Sequence, residues 1–402
     1  MTAVDAGPEL EAGESRVLEL VERLLTEHDP ATSDPVAFLG AQYDLGLAWV
    51  NFPEGFGGLG LSPGLQKVVQ DRIARAGGPH PYGRNPIGYG MGAPTVVTHG
   101  SEQQKLRYLR PLFTGEEVWC QLFSEPGAGS DVASLGTRAV RDGEEWIVNG
   151  QKVWTTLAHL SRWGMLVART DPDQPKHKGM TYFVVDMNAP GVEVRPLYQI
   201  TGEAEFNEVY FTDARIPDAE RLSEPGDGWR VVITTLMNER VAIGGQVPAR
   251  GGGFIAEALK VWERHSDHTA VERDKLAELW IRAEVLRLTN IRAQQLRAVG
   301  NPGPEGSIGK ILSADLNKQI SDFSVDLLGA EGMLKPSGYP MARPKHVMMW
   351  GEPVQAFLRA RANSIEGGTT EIAKNILGER VLGLPGDIRV DKEPPWSEVP
   401  RS

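Results

Sequence analysis

The sequence predicts an α+β fold in which two helical parts flank a small antiparallel β domain. Three observations carry that reading. Apolar residues recur at helical spacing in Leu65–Ala76 and Gln103–Leu112, a crowd of short β-rich segments fills 118–211, and helical spacing returns from Trp229 onward. The expected domains are residues 1–117 (helical), 118–226 (antiparallel β-barrel or sandwich), 227–385 (helical bundle) and 386–402 (an extended surface tail).

Taken in order, Asp44–Pro53 reads as a helix end that runs into the glycine-rich stretch 54–64. The β segments are Val118–Phe123, Thr137–Arg141, Glu145–Val148, Gln151–Thr155, Gly164–Arg169, Met180–Asp186, Val192–Pro196 and Glu208–Phe211. Asp142-Gly143 and Asn149-Gly150 separate the second to fourth of these, and such pairs suit the tight turns of hairpins. The last domain offers long helices at Trp229–Gly244, Gly253–Ser266, Val271–Val299, Ile308–Leu328 and Glu371–Leu382, joined as a bundle would be. Pro394, Pro395 and Pro400 suggest an extended tail.

Composition narrows the function. At 402 residues and 41% apolar content, the chain can bury two or three cores. A net charge of −11 argues against a nucleic-acid surface, and no apolar stretch approaches the roughly 18 residues needed to cross a bilayer. No export signal opens the chain, and the single cysteine, Cys120, forbids an intrachain disulfide, so a cytoplasmic protein is expected. Cys120 lies in an apolar run and reads as a buried, inert thiol. The histidines show no metal-ligand spacing, so no metal is expected.

Two motifs carry chemistry. The first runs from Gln121, Leu122 and Phe123 into Ser124-Glu125-Pro126-Gly127-Ala128-Gly129-Ser130-Asp131; the second is Asn149-Gly150-Gln151-Lys152-Val153-Trp154-Thr155-Thr156. Glycines allow backbone amides to approach a ligand closely, hydroxyls add directional bonds, and Trp154 offers an aromatic plate. Together they suit a flavin.

At these residues the chain resembles the acyl-CoA dehydrogenase family. The likeness continues through Phe211-Thr212-Asp213-Ala214-Arg215-Ile216-Pro217, Gly226-Asp227-Gly228-Trp229, Asn238-Glu239-Arg240, Ile365–Ile372 and Glu379–Pro385. The resemblance implies a helical, β-barrel and helical-bundle architecture, and noncovalent FAD held by residues 121–130 and 154–156. It also implies an acyl-CoA substrate, an electron-transfer flavoprotein or similar acceptor, and a homotetramer or a heterotetramer with a related subunit.

Oxidation between the α and β carbons of a thioester needs a base for the α-proton, and a carboxylate in a dry pocket serves. The family carries this glutamate either in a C-terminal loop or on the first helix of the last domain. Here Gly367 falls at the loop-base position, with Glu366 one residue before it, and Glu239 matches the helical alternative. A helical wheel places Val232, Ile233, Leu236 and Ile243 in one stripe, Arg240 near its centre and Glu239 at its edge. Glu239 and Arg240 therefore read either as base and substrate-side cation or as a paired structural charge, and Glu366 is the rival base. Ser130 is expected at the flavin or thioester. Thr369 and Glu371 are expected near the flavin ring, or Thr369 simply caps the following helix.

The pattern breaks at the adenosine end of the cofactor. Arg264 is the best match to an arginine that the family extends to a neighbour's flavin, but the usual Phe-Gly is absent beyond it. Asp326 and Gly329 stand in a segment where the family has Gln-x-x-Gly-Gly. Alternatives to an active dehydrogenase are thus a supporting, weakly active subunit of a hetero-oligomer, or a flavin oxidase or monooxygenase on the same scaffold.

Overall fold

The computed structural model describes residues 8–244, 247–264, 266–298, 305–334, 340–345 and 352–400. Helices α1 (Pro8–Glu27), α2 (Pro35–Asp44), α3 (Gln66–Arg75), α4 (Pro81–Arg84), α5 (Ala93–His99) and α6 (Glu102–Thr114) build the N-terminal part. Local chemistry sets their ends. Asp34 caps α2 ahead of Pro35; Ser101 and Gln104 exchange side-chain and backbone bonds at the start of α6, and Gly115, at φ 74°, stops it. Valines and leucines of α1, α2 and α3 then close a core of their own around Val17, Val21, Phe38 and Val69.

The β domain holds β1 (Trp119–Leu122), β2 (Arg138–Asp142), β3 (Glu145–Thr156), β4 (Trp163–Arg169), β5 (Met180–Asp186), β6 (Val192–Pro196) and β7 (Phe206–Pro217). They form one sheet in the order β1-β4-β2-β3-β7-β6, with β5 on β4. Pairing is antiparallel for most of it, but β1 runs parallel to β4, with Trp119 beside Trp163. Asp142-Gly143 makes the expected hairpin, Gly143 having φ 63°. Asn149-Gly150 does not. The two segments it was expected to separate are one strand, β3, because the ladder with β7 continues past it through a bulge between Val148 and Gly150. A Cβ at Gly150 would sit 2.7 Å from Thr137 Cα, so close approach of backbones is what requires glycine here.

Alternation along β4 and β5 divides the two faces. Trp163, Met165, Tyr182 and Val184 join a core shared with Trp49, Phe113 and helix residues Val231 and Val232, while Leu166, Phe183 and Val185 close the opposite face with Trp146 and Phe211. Cys120 lies fully buried in the latter, and burial pushes its thiol up to about 12.

Helices α7 (Gly228–Gly244), α8 (Phe254–Glu263), α9 (Ala270–Ala298), α10 (Glu305–Leu328), α11 (Pro353–Ala360) and α12 (Thr370–Ile376) form the last part. Ile255, Leu279, Ile320 and Phe323 tie α8, α9 and α10 together. The tail lies extended along the surface. It returns to the β domain, where Pro395 pairs with Pro175 and Trp396 lies against Arg169.

Candidate active site

The first motif leaves β1 and turns back on itself through Glu125 and Ala128, which exchange backbone bonds of 3.0 Å in both directions. Phe123 is buried edge-on to Tyr182 and Leu122 faces the opposite sheet core, so only the backbone of Leu122 is available to a ligand. Ser124 accepts from the Val153 amide at 2.9 Å, which joins the two motifs directly. Gly129 and Ser130 are exposed, and a Cβ added at Gly127 or Gly129 would meet nothing within 4 Å. The turn opens onto free space.

In the second motif β3 bulges again between Lys152 and Thr155. Trp154 takes the left-handed backbone conformation at φ 60°, which is costly for a bulky residue and turns its indole out of the ladder. The ring is 59% exposed, braced edge-on by Phe206. Thr155 behaves in the opposite way. Its hydroxyl is buried and has no hydrogen-bond partner among the described residues. Thr156 is half-buried. An orphaned buried hydroxyl costs about 1–3 kcal/mol, and a polar ligand edge beside Trp154 would satisfy it. An aromatic plate, an unpaired hydroxyl and an open glycine turn fit the ring and the polar rim of a flavin.

A buried ion pair, unforeseen in the sequence, holds the two motifs in place. Lys152 is fully buried; its Nζ donates to Phe123 O at 3.0 Å and to Glu125 Oε1 at 2.8 Å. Glu125 also accepts from the amides of Gly136, at 2.6 Å, and Thr137, at 2.9 Å. Burial works to raise the Glu125 carboxyl, but Lys152 and these amides outweigh it and hold the group below the usual carboxylate range. A lysine centred in a run of β-formers, downstream of a motif glutamate, was the available signal.

Helix α7 crosses the cleft side of the sheet. Its buried line runs through Gly228, Val231, Val232 and Thr235, and Glu239 lies one turn beyond Thr235 on the same line. Of the expected stripe, Val232 is buried, Leu236 half-buried and Ile233 40% exposed, and Glu239 is half-buried. Below it, Thr235 Oγ1 meets Tyr182 Oη at 3.1 Å and Thr95 Oγ1 at 2.9 Å, one hydroxyl from each domain. Gln121 Nε2 reaches Glu239 Oε2 at 3.4 Å, which brings β1 and α7 together. The side chains of Arg240 and Ile243 lie outside the described residues.

The other candidate carboxylate is ion-paired. Glu366 takes a two-pronged bond from Arg359, at 3.0 and 2.8 Å, and a third from Asn363 at 2.7 Å. Arg359 in turn lies over Phe206, the ring that braces Trp154. Thr369 uses its hydroxyl to cap α12 through the Ile372 amide, and Glu371 is exposed in the first turn. Arg264, Asp326 and Gly329 are exposed on the helical bundle; Arg264 borders a surface cleft with Lys260, Asn317 and Glu352.

A helical part, a curled sheet and a helical bundle in this order make up a three-domain fold with the paired motifs on its sheet. Family models for the acyl-CoA dehydrogenase N-terminal, middle and C-terminal domains match residues 14–116, 120–214 and 226–382. The chain belongs to the acyl-CoA dehydrogenase family and is an oxidoreductase of that kind. It is 39% identical over 347 residues to the acyl-CoA dehydrogenase IpdE1 of Mycobacterium tuberculosis, covering 86% of each chain. To the acyl-CoA dehydrogenase FadE34 of the same organism it is 38% identical over 343 residues, 85% of this chain and 45% of that one. Among solved structures it resembles the Tcur3481-Tcur3483 steroid ACAD, with a TM-score of 0.72, 26% identity and coverage of 94% and 98%. It also resembles the ChsE4-ChsE5 complex from Mycobacterium tuberculosis, with a TM-score of 0.70, 26% identity and coverage of 96% and 100%.

Proposed function

We propose that the chain catalyses FAD-dependent α,β-dehydrogenation of an acyl-CoA thioester, with Glu239 as the base. The observation that carries the assignment is the position of Glu239. Half-buried and one turn beyond the buried Thr235 on α7, it meets Gln121 of the flavin motif at 3.4 Å. Bound FAD supplies the acceptor for the hydride that leaves the β carbon.

The chain's own residues do the rest. Trp154 and Thr155 orient the ring, the Ser124–Ser130 turn offers amides and hydroxyls to the cofactor or the thioester, and Glu239 receives the α-proton at its carboxylate. Removal of that proton leaves negative charge on the thioester oxygen, which donors aimed at the oxygen stabilise. Electrons then pass to an electron-transfer flavoprotein or an acceptor like it. Neighbours described as a steroid ACAD and as a two-component complex support a bulky, steroid-like acyl group and a heterotetrameric assembly as the working choice. An exposed apolar stripe on α9, formed by Ile281, Val285 and Leu288, supports association with another chain. Asp326 in the adenosine segment favours a second reading, in which this chain supports a partner's site.

Glu239→Gln keeps the side-chain volume and removes the basic carboxylate. Flavin reduction by acyl-CoA in a single turnover should slow by about 10²–10⁴-fold while FAD and acyl-CoA still bind. Near wild-type reduction by Glu239→Gln, with loss in Glu366→Gln, would move the base to the loop. An unimpaired pair of variants would favour the supporting-subunit reading.

A further inference from the structure

The C-terminal tail is fastened to the segment that leaves the flavin turn. Trp396 N donates to Gln174 O and Ser397 N to Pro172 O, both at 2.9 Å, and Trp396 Nε1 donates to Ser134 O at 3.3 Å. The Trp396 ring lies over the guanidinium of Arg169, 4.9 Å from its centroid. Arg169 is only 1% exposed, and its Nη atoms donate to Lys176 O at 2.8 Å and Ala133 O at 2.6 Å. Closer to the turn, Lys176 Nζ bridges Asp131 at 2.7 Å and Asp391 at 2.5 Å. The tail thus grips 131–134 twice: at Ser134 through Trp396, and at Asp131 through Asp391 and Lys176.

This matters because the turn has little packing of its own. Beyond the Glu125–Ala128 backbone pair and the buried Ala128, it is open: Pro126, Gly127, Gly129 and Ser130 are exposed, so the placement of Gly129 and Ser130 depends on what holds the exit. Lys152 and Glu125 fix the entry; Arg169, Lys176 and the tail fix the exit.

We propose that residues 391–397 form a strap from the same subunit that positions the Gly129-Ser130 turn for its ligand, with Trp396 and Asp391 as the positioning residues. The proposal rests on the flavin-site reading above for the ligand's identity, but not for the strap itself. Holding the exit of the turn keeps its amides and the Ser130 hydroxyl in one arrangement before the ligand arrives, so less ordering is required on binding.

The test compares the full chain with a version ending at Gly386, and with Trp396→Ala, Trp396→Phe and Asp391→Asn. Ile388→Ala, whose side chain is 87% exposed, is the control. Amide hydrogen exchange is read across 124–136 and FAD affinity by flavin fluorescence. Truncation and Trp396→Ala should speed exchange across 124–136 and weaken FAD binding by about three- to thirty-fold, as loss of a partly buried cation–π contact allows. Trp396→Phe should recover part of both effects, and Asp391→Asn should give a smaller loss. Wild-type exchange across 124–136 together with wild-type FAD affinity in Trp396→Ala and Asp391→Asn would overturn the strap, even if the truncated chain fails to fold. If the wild-type chain binds no FAD the flavin reading falls, and the exchange difference then decides the strap alone.

Discussion

The β domain and the helical bundle treat their motif residues in opposite ways. In the β domain the motifs are stapled from behind: Lys152 and Glu125 are buried together, two backbone amides add to the pair, and Trp154 is held in a conformation that its own backbone disfavours. In the bundle Arg264, Asp326 and Gly329 stand exposed, and α9 presents Ile281, Val285 and Leu288 to solvent at helical spacing. The difference teaches that the β domain fixes its motif residues by its own packing, whereas the bundle leaves its motif residues on the surface; on the proposed reading, that surface is what a second chain would cover.

The sharpest way to break this contrast is to remove the staple. Lys152→Met leaves the Glu125 carboxylate buried without its partner, a change that costs about 3–5 kcal/mol, and thermal unfolding should register that loss together with loss of flavin from the purified protein. A variant that keeps both its melting temperature and its colour would show that the motifs are not fixed by this pair.

A second change addresses the other side of the comparison. Val285→Asp places a charge in the middle of the exposed α9 stripe. If that face is covered in the assembly, each such position contributes roughly 1.5–3 kcal/mol, and light scattering should report dissociation of the native assembly. Wild-type assembly with the substitution in place would remove α9 from the interface.

The smallest effect is expected at the boundary between the two regions. Thr369→Ala deletes the cap of α12 and should cost about 1 kcal/mol of stability, measured by urea unfolding, with wild-type FAD affinity if capping is its whole contribution. A clear loss of flavin affinity would return Thr369 to the cofactor site.

Much of this was legible in the sequence because local chemistry agreed with the final arrangement. Asp142-Gly143 gave its hairpin, and the helical spacing of Gln103–Leu112 falls within α6. Asn149-Gly150 misled for the converse reason: its turn preference is local, whereas the β7 ladder that overrides it comes from residues about sixty positions away. Lys152 and Arg169 were unreadable as buried residues, since the groups that satisfy them are backbone carbonyls and a carboxylate from other segments. The tail's landing place was not legible, because proline content predicts extension but not where the chain docks. The tail's lone Trp396 was the signal that it has one.

The core around Tyr182 also governs how the chain is made. Trp49 and Phe113 come from the N-terminal helices, Tyr182 and Met165 from the sheet, and Val231 and Val232 from α7, yet all belong to one buried cluster. During synthesis the first hundred residues therefore leave the ribosome with part of their apolar surface uncovered, and it stays so until more than a hundred further residues have emerged. The N-terminal domain has a private core among α1, α2 and α3 to hold it meanwhile. The half that faces the sheet shares its core with residues made later, and it is this half that a chaperone would need to shield.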